Sequence, residues 1–393
     1  MITPTASETT IKELSELSER SGVARVHMLA WRDLDDPEAG GSEIHAHNVA
    51  ALWAQAGIGV SHRTSFAPGH PAHSRRAGYD VNRKAGRYMV FPRSVAAEIA
   101  GRNGARDGLV EIWNGMPFMS PLWCRGPRMV WLHHVHGPMW KMSLPERLAQ
   151  LGVVLEERVA PKFYRHSPIV TLSESSKREL VHELGFAAER VTVVAPGVDP
   201  LFSPGGAKRS EPTVLAVGRL VPVKDFPRLV GLMARVHEHV PDARLVIVGE
   251  GYERERIEAL IEQLDATDYI HLAGRVDDAT LLDLYRSAWV LASTSVREGW
   301  GMTLTEAAAS GTPCVATRIA GHVDAASDGR SGLLAESDAD LAAGLVRVLT
   351  DAELRARLES GALDRAAELT WEITAIETFR VLADDAVARQ GRP

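Results

Sequence analysis

Two cysteines in 393 residues, Cys124 and Cys314, are too few for a disulfide framework and lie too far apart to share a metal motif. A reducing cytoplasm is therefore the expected compartment. No apolar run approaches the roughly 20 residues that cross a bilayer. The opening MITPTASETTIKELSELSERSG lacks the basic and apolar regions of a signal peptide. It reads as a tail over 1–22, frayed or shortly helical through Ile11, Leu14 and Leu17. Positive charge is not in excess: 44 basic residues face 51 acidic ones, for a net charge of −7, which excludes nucleic acid as the main partner. The dinucleotide fingerprint G-x-G-x-x-G is missing after the first strand, and no Asp-x-Asp sits at a strand end to hold a divalent ion. What remains is an ordinary globular composition, long enough for two domains of roughly 150–200 residues.

Strand and helix alternate along that length. A strand at 25–29, an acidic loop ending Ala39-Gly40-Gly41, a helix over about 42–56 and a strand at 58–62 make a βαβ unit. Further strands fit 109–113, 129–133, 169–172 and 191–194, with helices over about 144–160 and after the N-cap candidates Ser173 and Ser175. Residues 202–212, FSPGGAKRSEP, read as a linker. Beyond it strands fit 214–217, 245–248, 270–272, 289–292, 315–316 and 332–334. Helices fit about 226–239, 253–264, 279–287, 338–349 and 352–366. Such alternation implies α/β architecture, with parallel sheets covered on both faces in two Rossmann-like domains. The expected segments are 1–22, 23–203, 204–212, 213–368 and 369–393.

The stretch most informative for function is 294–313, TSVREGWGMTLTEAAASGTP. It follows a buried strand and runs as glycine turn, helix start, helix, and Gly-x-Pro stop. The glycines let the backbone approach a ligand, and the unpaired N–H groups of a helix's first turn face any anion placed there. Glu298 and Glu306 are eight positions apart, about 80° around a single helix. With Glu298 on the preceding loop, both carboxylates can reach one ligand from different sides.

This Glu-x7-Glu arrangement, with glycines after the first Glu and Gly-x-Pro after the second, resembles the retaining glycosyltransferases of family 4, the glycosyl transferases group 1. The resemblance covers most of the chain and implies the GT-B fold. In that fold two Rossmann-like domains face each other across a cleft, and a C-terminal helix, here about 371–383, crosses back to the first. It implies transfer of a hexosyl unit from a UDP- or GDP-sugar to a glycan, a lipid-linked or a small-molecule acceptor, without metal or other cofactor. Gly218-Arg219-Leu220 with Lys224 resembles the family's GR-x4-K, whose Arg and Lys neutralise the leaving diphosphate. Glu298 would contact hydroxyls of the transferred sugar, and Glu306 those of the ribose. Gly299 gives the turn its freedom, and the N–H groups of Gly301, Met302, Thr303 and Leu304 would meet sugar and phosphate. Gly249 gives clearance nearby, and Arg275 and Val276 would touch the base. In the first domain Gly40 and Gly41 would lie under the donor phosphates. Of His133, His134 and His136, the family's active histidine is expected to be His134 or His136. Ala320-Gly321-His322 departs from the paired glycines of many members.

Trp and Met crowd 113–142, as core or as an acceptor wall that would include Asn114, Phe118 and Trp140. Residues 62–93 carry Arg63, Arg75, Arg76, Arg83, Lys84, Arg87 and Arg93 against Asp80 alone, which suggests peripheral contact with an anionic leaflet or a lipid pyrophosphate. The alternatives are a GT-B nucleotide-sugar epimerase, a phosphorylase, or a non-catalytic relative that binds sugar nucleotides. Intact Arg219, Lys224, Glu298 and Glu306 argue against the last.

Overall fold

The computed structural model describes residues 2–137, 139–143 and 145–391. Leu144, where one helix was expected to begin, and positions 1, 392 and 393 of the expected end segments lie outside the described residues. The chain divides into two compact units, Thr3–Gly197 with Thr370–Pro393, and Met1–Ile2 with Val198–Leu369.

The first unit is built on eight strands: β1 (Arg25–Leu29), β2 (Gly59–Thr64), β3 (His73–Arg76), β4 (Tyr79–Arg83), β5 (Gly108–Trp113), β6 (Arg128–Leu132), β7 (Ile169–Thr171) and β8 (Val191–Val193). Their order is β3-β4-β2-β1-β5-β6-β7-β8, parallel except where β3 runs against β4. β5 and β6 are buried at every position, which is why GLVEIW and RMVWL are largely apolar, with Glu111 and Arg128 as buried charged exceptions. Helices Gly41–Gln55 and Trp371–Gln390 pack against each other and both against this sheet, the first on β2 and β4 and the second on β5 and β6. Trp53 donates its indole N–H to the Ala375 carbonyl (2.9 Å), and its ring meets Phe379 edge-on.

Partners distant in sequence decide two of the expectations in this unit. Residues 8–21 form a capped helix that closes on helix Trp371–Gln390, burying Leu14 and Leu17, so the helical alternative for 1–22 holds and the frayed tail does not. Its N-terminus is tied by Glu372, which accepts from the Ser7 N–H and the Thr10 hydroxyl, both at 2.7 Å. The basic stretch contains the β3–β4 hairpin, whose two-residue turn Ala77-Gly78 has positive φ at both positions, as tight hairpins require. Three of its cations, Arg76, Arg83 and Arg87, are opposed after all. Asp33, fully buried, pairs with Arg76 (2.8 Å) and Arg83, Asp35 pairs with both as well (2.5 and 2.7 Å), and Glu38 takes Arg87. The acidic loop after β1 thus neutralises part of the charge that seemed unopposed, while Arg75, Lys84 and Arg93 stay exposed.

The second unit holds β9 (Thr213–Val217), β10 (Arg244–Val248), β11 (Ile270–Gly274), β12 (Val290–Ser293), β13 (Cys314–Thr317) and β14 (Gly332–Ala335). All are parallel, in the order β11-β10-β9-β12-β13-β14. One core joins Val214, Leu229, Leu245, Ile247, Val290 and Leu345. The expected linker is not loose. Lys208 donates to the carbonyls of Ala288 (2.8 Å) and Gly311 (3.0 Å) and to the Thr312 hydroxyl (2.8 Å), and Arg286 grips Ser203. The boundary falls instead at Gly197 and Val198. Cys124 and Cys314 are buried thiols. Among the described residues no helix is long and apolar enough to cross a membrane.

Candidate functional site

In the second unit the strand order reverses between β9 and β12, so the loops after both strands meet at the carboxyl edge of the sheet. That edge is where open α/β sheets bind ligands. The loop after β9 carries Gly218, Arg219 and Lys224, and the loop after β12 carries Glu298. Thr294 stitches them, its hydroxyl donating to the carbonyls of Lys224 (3.0 Å) and Asp225 (2.9 Å). Lys224 Nζ lies 2.5 Å from Glu298 Oε1, which also accepts from the Ser295 hydroxyl at 2.9 Å. Burial pushes the Glu298 carboxyl up, but the Lys224 ammonium, His322 and the Ser295 hydroxyl outweigh it and hold it at about 2.

Gly301 begins helix Met302–Ala309 with φ +103°, and a Cβ there would come within 2.9 Å of His322 Cδ2. The Leu304 N–H is taken by the Gly301 carbonyl (2.9 Å), so Leu304 is not a donor to ligand, contrary to expectation. Met302 and Thr303 remain as the first-turn N–H groups. Glu306, half-buried on this helix, accepts from the Tyr285 hydroxyl at 2.7 Å. Burial pushes its carboxyl up to about 7, with Tyr285 opposing only in part.

Several expected residues act on the scaffold. A Cβ on Gly249 would fall 1.9 Å from the Gly218 carbonyl, so that glycine clears backbone rather than ligand. Arg275, exposed, and Val276, half-buried, follow β11 at the sheet's edge. Gly299 is buried against Gly321, where a Cβ would sit 2.9 Å from the Gly299 carbonyl carbon and 2.7 Å from the Trp300 nitrogen. His322, which the sequence marked only as a departure, is fully buried beneath this turn, with Nδ1 2.9 Å from the Thr317 carbonyl.

In the first unit the strand order reverses between β1 and β5. A crevice of about 10 Å³ there is lined by Trp31, Arg32, Ser42, Glu43 and Asn114 among others. Helix Gly41–Gln55 starts beside it, with Gly40 as its N-cap, but the Gly40 N–H already donates to Glu43 Oε2 at 2.8 Å. Glu43 also lies 3.5 Å from Arg32 Nε. Gly41, the first residue of that helix, is exposed.

The three histidines after β6 divide. His133 turns inward, with Nδ1 3.1 Å from the Ser42 hydroxyl and Nε2 2.9 Å from His45 Nδ1. Burial holds His133 well below the usual imidazole range and His45 at about 3, so both stay neutral. His134 and His136, half-buried, stack with ring centroids 4.7 Å apart. Trp140 packs on His136 and donates to Glu156 at 2.9 Å. Phe118, expected on the acceptor wall, is 2% exposed and packs on Phe91 in the core, so it cannot meet a ligand. Glu43, His45, Glu111, Glu156 and Tyr285 escaped the sequence reading, since only their distant partners mark them. Among the described residues no three His, Cys, Asp or Glu side chains converge as a metal-ligand set.

Two family models match consecutive parts of the chain, Glycosyltransferase Family 4 over residues 39–201 and Glycosyl transferases group 1 over residues 199–365. Similar proteins include the D-inositol 3-phosphate glycosyltransferases of Stackebrandtia nassauensis (35% identical over 61% of this chain) and Acidothermus cellulolyticus (34% over 56%). The matches span only 58% and 54% of those relatives' own length. That of Segniliparus rotundus is 28% identical over 91% of this chain and 87% of its own. Among solved structures, sucrose-phosphate synthase from Thermosynechococcus elongatus shares the fold at TM-score 0.77, with 21% identity over 93% of this chain and 98% of that one. Anabaena Alr3699/HepE, solved with UDP and glucose, shares it at TM-score 0.69, with 17% identity over 91% and 98%.

Proposed function

Since the chain belongs to glycosyltransferase family 4, with the GT-B fold, we propose that it moves a hexosyl unit from a nucleoside-diphosphate sugar to an acceptor with retention of configuration. The observation that carries the reading is the Lys224–Glu298 pair at the β9/β12 edge, beside the start of helix Met302–Ala309. When the anomeric bond breaks, negative charge develops on the leaving diphosphate. Lys224, Arg219 and the partial positive charge of that helix N-terminus offset it without a metal. Glu298, held ionised, is a fixed acceptor for sugar hydroxyls, and Glu306 for the ribose.

Retention follows from same-face substitution in which the leaving phosphate takes the acceptor's proton, with no carboxylate nucleophile. Glu298 suits that account because its carboxylate is tied to Lys224 and Ser295. His134 or His136 meets the donor sugar or the acceptor hydroxyl. The relatives' names make D-inositol 3-phosphate the first acceptor to test, and the UDP-bound neighbour makes UDP-sugars the first donors. Glycan and lipid-linked acceptors follow, with GDP-sugars. Peripheral membrane contact now rests on the exposed Arg75, Lys84 and Arg93. Salt-sensitive co-sedimentation with anionic vesicles tests it.

A thermal-shift screen over UDP, GDP, ADP and their sugars tests donor binding, since a ligand selective for the native state raises the melting point. Release of nucleoside diphosphate in the presence of D-inositol 3-phosphate or another acceptor tests turnover. No shift with any nucleotide refutes the donor reading. Shifts with no turnover on any acceptor leave a non-catalytic sugar-nucleotide-binding relative.

A further inference from the structure

The helix that follows the histidine loop is irregular. It runs as Glu146–Val154, one π turn at Leu155–Val159, then Ala160–Tyr164. A π turn fits an extra residue into the helix and re-aims the side chains around it, and such turns occur often at functional sites. This one carries Glu156, fully buried between half-buried Leu155 and exposed Glu157. Its Oε1 accepts from the His136 N–H at 2.9 Å. Its Oε2 accepts from the Gly137 N–H at 3.0 Å and from the Trp140 indole N–H at 2.9 Å. Three donors of one loop converge on one carboxylate, and His136 Nδ1 stands 3.8 Å from it.

Eight positions on, the same helix supplies Tyr164, whose hydroxyl donates to Glu111 Oε1 at 2.6 Å. Glu111 in turn accepts from the N–H groups of Phe118 (2.5 Å) and Ser120 (3.1 Å). One irregular helix thus holds the loops that leave both β5 and β6, each through a buried carboxylate. The surrounding packing leaves no slack. A Cβ on Gly115 would lie 3.1 Å from His136 Nε2, and one on Gly152 would lie 2.6 Å from Trp140 Cδ2.

A buried carboxylate is a costly way to gain stability alone, since apolar packing of the same volume often does as well. The bonds of Glu156 described above all run to the loop that bears His136. We propose that Glu156 is a positioning residue. It fixes the main chain at 136–137 and the Trp140 indole, so that the stacked imidazoles of His134 and His136 keep one arrangement during transfer. The proposal rests on the reading that these imidazoles meet the donor sugar or the acceptor.

Glu156→Gln keeps the volume but sets an N–H against donors that need acceptors. With a donor–acceptor pair that turns over, kcat should fall roughly ten- to hundredfold, the scale of misplacing a reacting group by about 1 Å. The dissociation constant for nucleoside diphosphate, bound by the other unit, should stay within twofold. The deciding measurement is a double-mutant cycle in a His134→Ala/His136→Ala background, where Glu156→Gln should change residual turnover less than twofold. Trp140→Phe, which removes a single donor and is the milder change, should follow the same pattern with a three- to tenfold loss. Equal losses in both backgrounds, or none in the wild-type background, overturn the proposal. If the histidine variant itself turns over like wild type, the assignment of the imidazoles falls first and the proposal with it.

Discussion

Replacing Lys224 with methionine keeps the stem of the side chain and removes the charge that Glu298 leans on. Burial alone would raise this carboxyl, whereas with Lys224 present it sits at about 2 against an ordinary 4.5. At about 1.4 kcal/mol per tenfold change in proton affinity, that difference is worth roughly 3 kcal/mol of stability at neutral pH. The two side chains are 20% and 18% exposed, so solvent screening removes little of it. A lowered carboxyl contributes stability above its unfolded value near 4.5 and loses it as pH falls toward 2. Without the ammonium, burial dominates and the carboxyl moves above 4.5. The variant is then weakest at pH 7–8 and recovers toward pH 5. A loss of about 3 kcal/mol at pH 7.5 matches the scale of stranding a buried charge and corresponds to roughly 6–12 °C for a unit of this size. The assay is the melting transition that nucleoside diphosphate raises, followed at pH 7.5, 6.0 and 4.5. Adding Glu298→Gln to Lys224→Met should restore most of the loss at pH 7.5. A gap between wild type and variant that stays constant with pH, or a double variant no better than the single, refutes the reasoning.

Arg219→Ala should lower turnover a hundredfold or more, the scale of losing one preorganised contact to developing charge, while EDTA leaves wild type active. Loss of activity in EDTA with recovery in magnesium contradicts this. The raised carboxyl of Glu306 stabilises the fold at low pH and loses that contribution as pH rises through about 7, so Glu306→Gln should flatten the melting temperature between pH 5 and 8. Calorimetry should show Glu306→Ala weakening the bare nucleoside diphosphate and Glu298→Ala sparing it. Arg83→Ser, which leaves the fully buried Asp33 with Arg76 as its remaining ion-pair partner, should destabilise by about 1–3 kcal/mol in urea unfolding without changing vesicle binding.

Buried strands were legible because a strand covered on both faces is mostly apolar, as in β5 and β6. The β3 strand, His73–Arg76, is a polar edge, so no apolar pattern announces it. The glycine turn and both glutamates were legible because their spacing is local. The partners that decide other residues lie far along the chain. Arg76 and Arg83 count as unopposed only until Asp33, some 43 and 50 positions earlier, folds against them. Phe118 looked like a ligand-facing aromatic for the same reason, since Phe91, which packs on it, sits in helix Val90–Ile99. Glu156 offers no local clue: one glutamate in a charged helix is indistinguishable from its neighbour Glu157 until the loop closes on it.

Helix Trp371–Gln390 belongs to the unit that the chain began, with the whole of Val198–Leu369 made in between. The chain leaves the first unit and re-enters it at adjacent points. The Val198 N–H meets the Leu369 carbonyl, and a side chain at Gly197 would strike the Trp371 nitrogen at 2.2 Å. During synthesis the inserted unit, contiguous apart from Ile2, can close as soon as it emerges. The first unit must wait for its last helix, roughly 10–30 s at ordinary translation rates, with the Trp53 face of helix Gly41–Gln55 uncovered. The earlier-made half of the protein is the later to finish folding, and in that interval it is the half most open to chaperones and to aggregation.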